Sequence, residues 1–320
     1  MTVQNETDYE DLLSLWSDLE AGLAVVLGSP GSIQEFEARI RQYDRWMQTL
    51  LARDTDVGLY LLFQLSGSSS VGYSASHALI CSVLCHLIAK DLQLDSPERN
   101  AIVYAAMTMN IAMTSLQDQL ALQTEKLSPQ QRQAIKQHPQ EGSQLLAQLG
   151  IADSLWCGIV AIHHEEQSTR IRLAELPALN RLTRILHVVD RYAAMISPRR
   201  SREGRSALES MRNIMSGASS YNDEVGHSLV RAVGLCPPGT YARLSDNSTA
   251  VVLRRSDKPN LPHVAVITDR SGDLLHEPLL HSTAKGQPTI KSALGSATVR
   301  LRLNHPLILQ LGAYIPQASR

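Results

Sequence analysis

Apolar positions recur at helical spacing from the N-terminus to about Val233 and change to short alternating runs beyond it. Tyr9, Leu12, Leu13, Leu15, Trp16, Leu19 and Leu23 predict a helix over 8–28, closed by Gly28-Ser29-Pro30-Gly31. Ser32, with Glu35 three residues on, reads as a capping box that opens a second helix running to Arg53. Val57 to Leu65 predicts a third, ending in the polar run Ser66-Gly67-Ser68-Ser69-Ser70. Helices are expected next over 75–91, carrying His77, and over 97–116, where Ala101, Ile102, Val103, Ala105 and Ala106 leave almost no polar face. Ser128 as N-cap, Pro129 at the first helical position and Gln131 closing a capping box predict a helix through His138 to Leu149, stopped by Gly150. Segments 152–166, 178–196, 206–216 and 222–233 complete a bundle that Cys236-Pro237-Pro238-Gly239 ends.

Residues 241–244, 249–254 and 263–268 are β-branched, short and separated by turn residues, which predicts a small antiparallel sheet. Residues 297–303 read as one more strand and 306–314 as a closing helix. The expected organisation is mainly α, with an N-terminal helical module over 1–66, a helical domain over 67–238 and a small β-rich subdomain over 239–320.

Composition adds mostly exclusions. At 320 residues, 43% hydrophobic and 19% charged, the chain is an ordinary globular mix. A net charge of −1 creates no global field toward nucleic acid or a membrane surface. The polar, acidic start has no signal-peptide pattern and no apolar run reaches a bilayer span, so a cytoplasmic location is expected. The cysteines Cys81, Cys85, Cys157 and Cys236 form no disulfide framework. Cys81 and Cys85 share a helix face with His77, and core packing is the expectation for both, ahead of a thiolate metal site.

Candidate chemistry centres on Ile162-His163-His164-Glu165-Glu166. His138 lies one helix earlier, Asp190 one helix later and His77 far upstream. Neutral imidazoles with a carboxylate suit Fe, Mn or Zn, whereas the plainer alternative is a scatter of hydrogen-bonded core and surface histidines.

The order His77, then His138-Pro139-Gln140-Glu141-Gly142, then His163-His164-Glu165, then Asp190 resembles the HD-GYP family, the helical HD-superfamily phosphodiesterases that open cyclic di-GMP. The resemblance runs from about His77 to about Pro238 and implies an HD-superfamily helical bundle over 67–238. It implies metal ligands at His138, His163 and His164, with His77 and Asp190 as the other half of the site. It breaks where the family carries its His-Asp pair. That position, 32 residues after His77 and 28 before His138, holds Met109-Asn110, and the family's following lysine is Met113. The Gly-Tyr-Pro loop is replaced by the run Gln167 to Pro177, in which only the proline survives. An amide is neutral and a thioether is a poor ligand for hard or borderline cations, so the anion that bridges two mutually repelling metals is missing.

The stretch 170–205 holds nine arginines, and Arg170, Arg172, Arg199 and Arg202 are the candidates for gripping a phosphodiester, against the alternative of a solvated, salt-bridged face. Two functions follow as expectations. One is a catalytically degenerate HD-GYP-like protein that binds cyclic di-GMP or another phosphodiester, or a signalling protein, with a homodimer as one form. The other is a working phosphohydrolase with a single Fe, Mn or Zn on His138, His163 and His164. The cofactor is at most one divalent metal.

Overall fold

The computed structural model describes residues 6–65, 71–165, 171–197, 200, 204–216, 222–299, 301–313 and 315. Helices α1 (Glu6–Gly28), α2 (Phe36–Arg53) and α3 (Thr55–Leu65) precede α4 (Tyr73–Asp91), α5 (Ser96–Thr108), α6 (Thr114–Leu122), α7 (Pro129–Gln148), α8 (Ser154–Ile162), α9 (Ala178–Ile196), α10 (Ala207–Ser216) and α11 (Asn222–Val233). Strands β1 (Tyr241–Leu244), β2 (Thr249–Arg254), β3 (His263–Thr268), β4 (Leu274–Ser282) and β5 (Ile290–Leu294) follow, and α12 (His305–Gly312) closes the chain. The result is a mostly helical fold with a small C-terminal antiparallel sheet. No helix among the described residues is long and apolar enough to cross a membrane.

Helix α4 is apolar on every side and buried along most of its length, as expected of a central helix. It packs against α1, α5, α6, α9 and α11. The antiparallel sheet runs in the order β4-β3-β2-β1-β5. Alternation along β2 divides its side chains between two cores: Val251 and Leu253 face the helices, whereas Ala250 and Val252 join Leu244, Val264 and Cys236 on the other face. Helix α12 crosses back to α1 and the sheet.

Several boundaries depart from the pattern-based expectation. The capping box at Ser32 does not form. Pro30–Ser32 is a 3-10 turn, Glu35 takes a left-handed conformation (φ 51°), and α2 starts where Phe36 enters the core. The apolar run 97–116 is not one helix. It stops at Thr108, whose hydroxyl donates to the Tyr104 carbonyl (2.7 Å) and accepts from the Trp156 indole (2.8 Å). Met109-Asn110 then turn into a 3-10 segment, Ile111–Met113, that packs on α7 near Gly142. Helix α8 ends at Ile162 rather than Glu166, with His163 as its C-cap. Strands β4 and β5 were not expected, and the strand expected over 297–303 does not form among the described residues: Ser296–Thr298 make a 3-10 turn, and 299 and 301–303 join no ladder. The capping box of α7 forms as expected, with Ser128 and Gln131 bonding reciprocally.

Candidate metal centre

Four helices converge on the histidines: α4 brings His77 and Cys81, α7 brings His138, the end of α8 brings His163 and His164, and α9 brings Asp190. Local backbone chemistry orients two of the rings. Pro139 has no N–H, so the Ile135 carbonyl four residues back loses its helical donor. The Nδ1–H of His138 donates to it instead, at 2.7 Å. Val160 lies in the last turn of α8, where carbonyls have no helical partner, and the Nδ1–H of His163 donates to it at 2.7 Å.

With both Nδ1 atoms donating, both Nε2 atoms carry bare lone pairs, and these face each other 3.2 Å apart. Two lone pairs make no hydrogen bond. Two nitrogens about 2.0–2.1 Å from a shared tetrahedral ion would stand roughly 3.3 Å apart. The His164 ring lies 4.1 Å from that of His163 and 5.1 Å from that of His138, centroid to centroid. One ligand atom from each of the three rings falls within 4.8 Å of the others. Burial pushes His138 down to about 4 and His163 down to about 3, with the neighbouring His164 adding to both. Burial lowers His164 as well. All three imidazoles are therefore neutral at neutral pH, the form that ligates metal. The donor set fits one divalent ion.

A second group lies on α4 and α9. His77 Nε2 is 2.8 Å from Asp190 Oδ1 and 3.6 Å from Cys81 Sγ, and the ring stacks on Tyr73 at 5.4 Å. These three donors also fall within 4.8 Å of one another. Burial would raise the Asp190 carboxyl, but the His77 hydrogen bond and the surrounding imidazoles hold it below the usual carboxylate range. Burial, with Asp190 adding, pushes the Cys81 thiol well above its ordinary value. Cys81 is fully buried in the main apolar cluster, as its reading as core packing expected, and its spacing of four from His77 on one helix face also brings it beside this group.

Met109 is buried, and Asn110 sits in the turn after α5, the position of the expected His-Asp pair. Of the four candidate phosphate-binding arginines, Arg170, Arg199 and Arg202 lie outside the described residues. Arg172 is exposed and its Nε donates to Glu175 at 2.7 Å. Arg181 pairs with Glu98, and Arg184 donates to the Ile171 carbonyl at 2.7 Å.

Residues 67–225 match the HD domain family. The chain is 26% identical over 198 residues to a cyclic di-GMP phosphodiesterase of Pseudomonas aeruginosa, a match covering 61% of this chain and 48% of that protein. It thus spans about half the length of the curated relative it matches. Its fold is similar, with a TM-score of 0.52 and 13% identity over 72% of each chain, to that of an HDG"Y"P protein from Bdellovibrio bacteriovorus. Residues 67–225 form an HD domain of the HD-GYP type. HD domains generally bind divalent metals, and in this HD-GYP-type domain the two donor groups stand on helices α4, α7 and α9 and at the end of α8.

Proposed function

We propose that this HD-GYP-type domain serves cyclic-dinucleotide signalling by binding, taking up cyclic di-GMP or a related phosphodiester or a partner signalling protein, without turning cyclic di-GMP over. The observation that supports it is Asn110. The bridging position carries a neutral amide, and the carboxylate on α9, Asp190, is engaged by His77. Two cations sharing one bridging ligand need an anion there, and a neutral amide does not supply it, so a carboxylate-bridged metal pair of the kind that splits phosphodiesters is not sustained there.

His138, His163 and His164 would hold one divalent ion, which when bound supplies a Lewis-acid contact for a phosphodiester oxygen. The protein's own groups set the rest: the carbonyls of Ile135 and Val160 fix the tautomers, and burial keeps the rings uncharged. The facing Nε2 atoms also favour a second reading, a single-metal phosphohydrolase acting on a substrate of its own.

The experiment is calorimetric titration of the metal-loaded full chain with cyclic di-GMP, beside chromatography of the same mixtures for linear and mononucleotide products. Binding without products is the expected outcome. Products whose rate of formation falls in His138→Ala or His164→Ala would overturn the binding reading and establish the enzyme.

A further inference from the structure

We propose that His77, Cys81 and Asp190 form a second, thiolate-containing cation site selective for zinc-like ions, in which Cys81 supplies the negative charge that Asn110 no longer provides. The inference is independent of whether the domain hydrolyses anything, and it gives Cys81 a ligand's role beside its place in the buried apolar cluster.

Distances carry the first part. A tetrahedral ion with nitrogen at about 2.0–2.1 Å and sulfur at about 2.3 Å holds the two donors roughly 3.5 Å apart. Cys81 Sγ and His77 Nε2 are 3.6 Å apart. Asp190 Oδ1, 2.8 Å from the same nitrogen, lies about half an ångström inside the separation of roughly 3.4 Å that an ion would impose, which is the spacing of the hydrogen bond the ion replaces. His77 is 1% exposed, and its Nδ1 has no partner among the described residues. The ring's polar engagement is therefore all on the Nε2 side, where the thiol and the carboxylate meet it. Asp190, with its side chain 17% exposed, is the route by which an ion reaches the otherwise buried pair.

Charge and softness carry the second part. An ion entering the site displaces the proton of the Cys81 thiol, and the His77 ring proton moves from Nε2 to Nδ1. One proton is released, and the thiolate and carboxylate together balance a divalent charge. A thiolate prefers zinc and cobalt to magnesium or manganese, so the site discriminates by ligand type where a carboxylate bridge does not. Helix geometry supplies the placement: Cys81 is one turn beyond His77 on α4, both facing Asp190 on α9.

The test is titration of the untagged, metal-stripped full chain with Co(II), followed by absorption spectroscopy. A near-ultraviolet sulfur-to-cobalt charge-transfer band is expected, saturating by two equivalents, bleached by Zn(II) and unchanged by Mg(II). It is expected to vanish in Cys81→Ser and to persist in Cys85→Ser, a buried thiol one turn further along whose variant controls for general loss of packing. It is also expected to persist in the His138→Ala/His163→Ala double variant while total bound cobalt falls. A cobalt-loaded wild-type protein without the band overturns the proposal whatever the variants do, as does a band that survives Cys81→Ser. If the band is present but total cobalt is unchanged in the double histidine variant, the three-histidine ion site fails and this one stands.

Discussion

His138 and His163 each commit an Nδ1 proton to a backbone carbonyl and turn a bare Nε2 toward the other, an arrangement that cations satisfy and protons do not. Both are held well below the ordinary imidazole value, His138 at about 4 and His163 at about 3. Because the folded values lie below the unfolded one, the unfolded chain takes up protons first as pH falls. The stabilising effect is complete above about pH 6.5 and is lost progressively as pH drops through that value toward about 3. Thermal unfolding of the metal-free protein between about pH 7 and pH 4 should therefore show a steadily falling midpoint, and His163→Asn should flatten that slope. The candidate ligands His138, His163 and His164 were legible from motif order. The cause of their ring orientation was not: it needs the orphaned Ile135 and Val160 carbonyls, which follow from Pro139 and from where α8 stops.

Among the elements, the join between bundle and sheet depends on Gly239. Its φ is +86°, and an added Cβ would lie 2.5 Å from the Tyr60 carbonyl oxygen, a backbone atom that cannot swing aside. Its N–H donates to Val252 and its carbonyl accepts from Gln64, tying the start of the sheet to α3. Gly239→Ala is expected to lower stability by roughly 2–4 kcal/mol, read from the midpoint of denaturant unfolding at unchanged slope. Elements with strong periodicity, such as α7 and α9, were legible from sequence; β4 was not. Its residues are mostly exposed along the whole strand, so no alternation marks it, and it exists because β3 offers a ladder. Helix α5 was overextended for the opposite reason. An all-apolar run has no period, and the stop at Thr108 is set by hydrogen bonds to Tyr104 and Trp156.

At the scale of the molecule, the N-terminal helices, the HD domain and the sheet share one buried apolar cluster running from Leu12 on α1 through Ile185 on α9 to Ile308 on α12. A buried ion pair locks its far end. Arg254 on β2, 2% exposed, forks onto Asp54, 1% exposed, at 3.0 and 2.5 Å and also donates to the Gly312 carbonyl at 2.6 Å. Removing one partner strands the other charge away from water. Arg254→Met is expected to destabilise by about 3–5 kcal/mol, and the double variant Asp54→Leu/Arg254→Met to recover part of that loss, measured by chemical denaturation of each variant.

The sequence by itself determined the helical bundle, the first three strands and the identity of the histidines, because helical and strand periods and the order of polar motifs are local properties of the chain. Only the tertiary structure decided which donors meet. Cys81 lies 109 residues before Asp190, and their approach depends on how α4 and α9 cross in the core. Hydrophobic burial, which sets that crossing, is non-directional, and no local pattern records it.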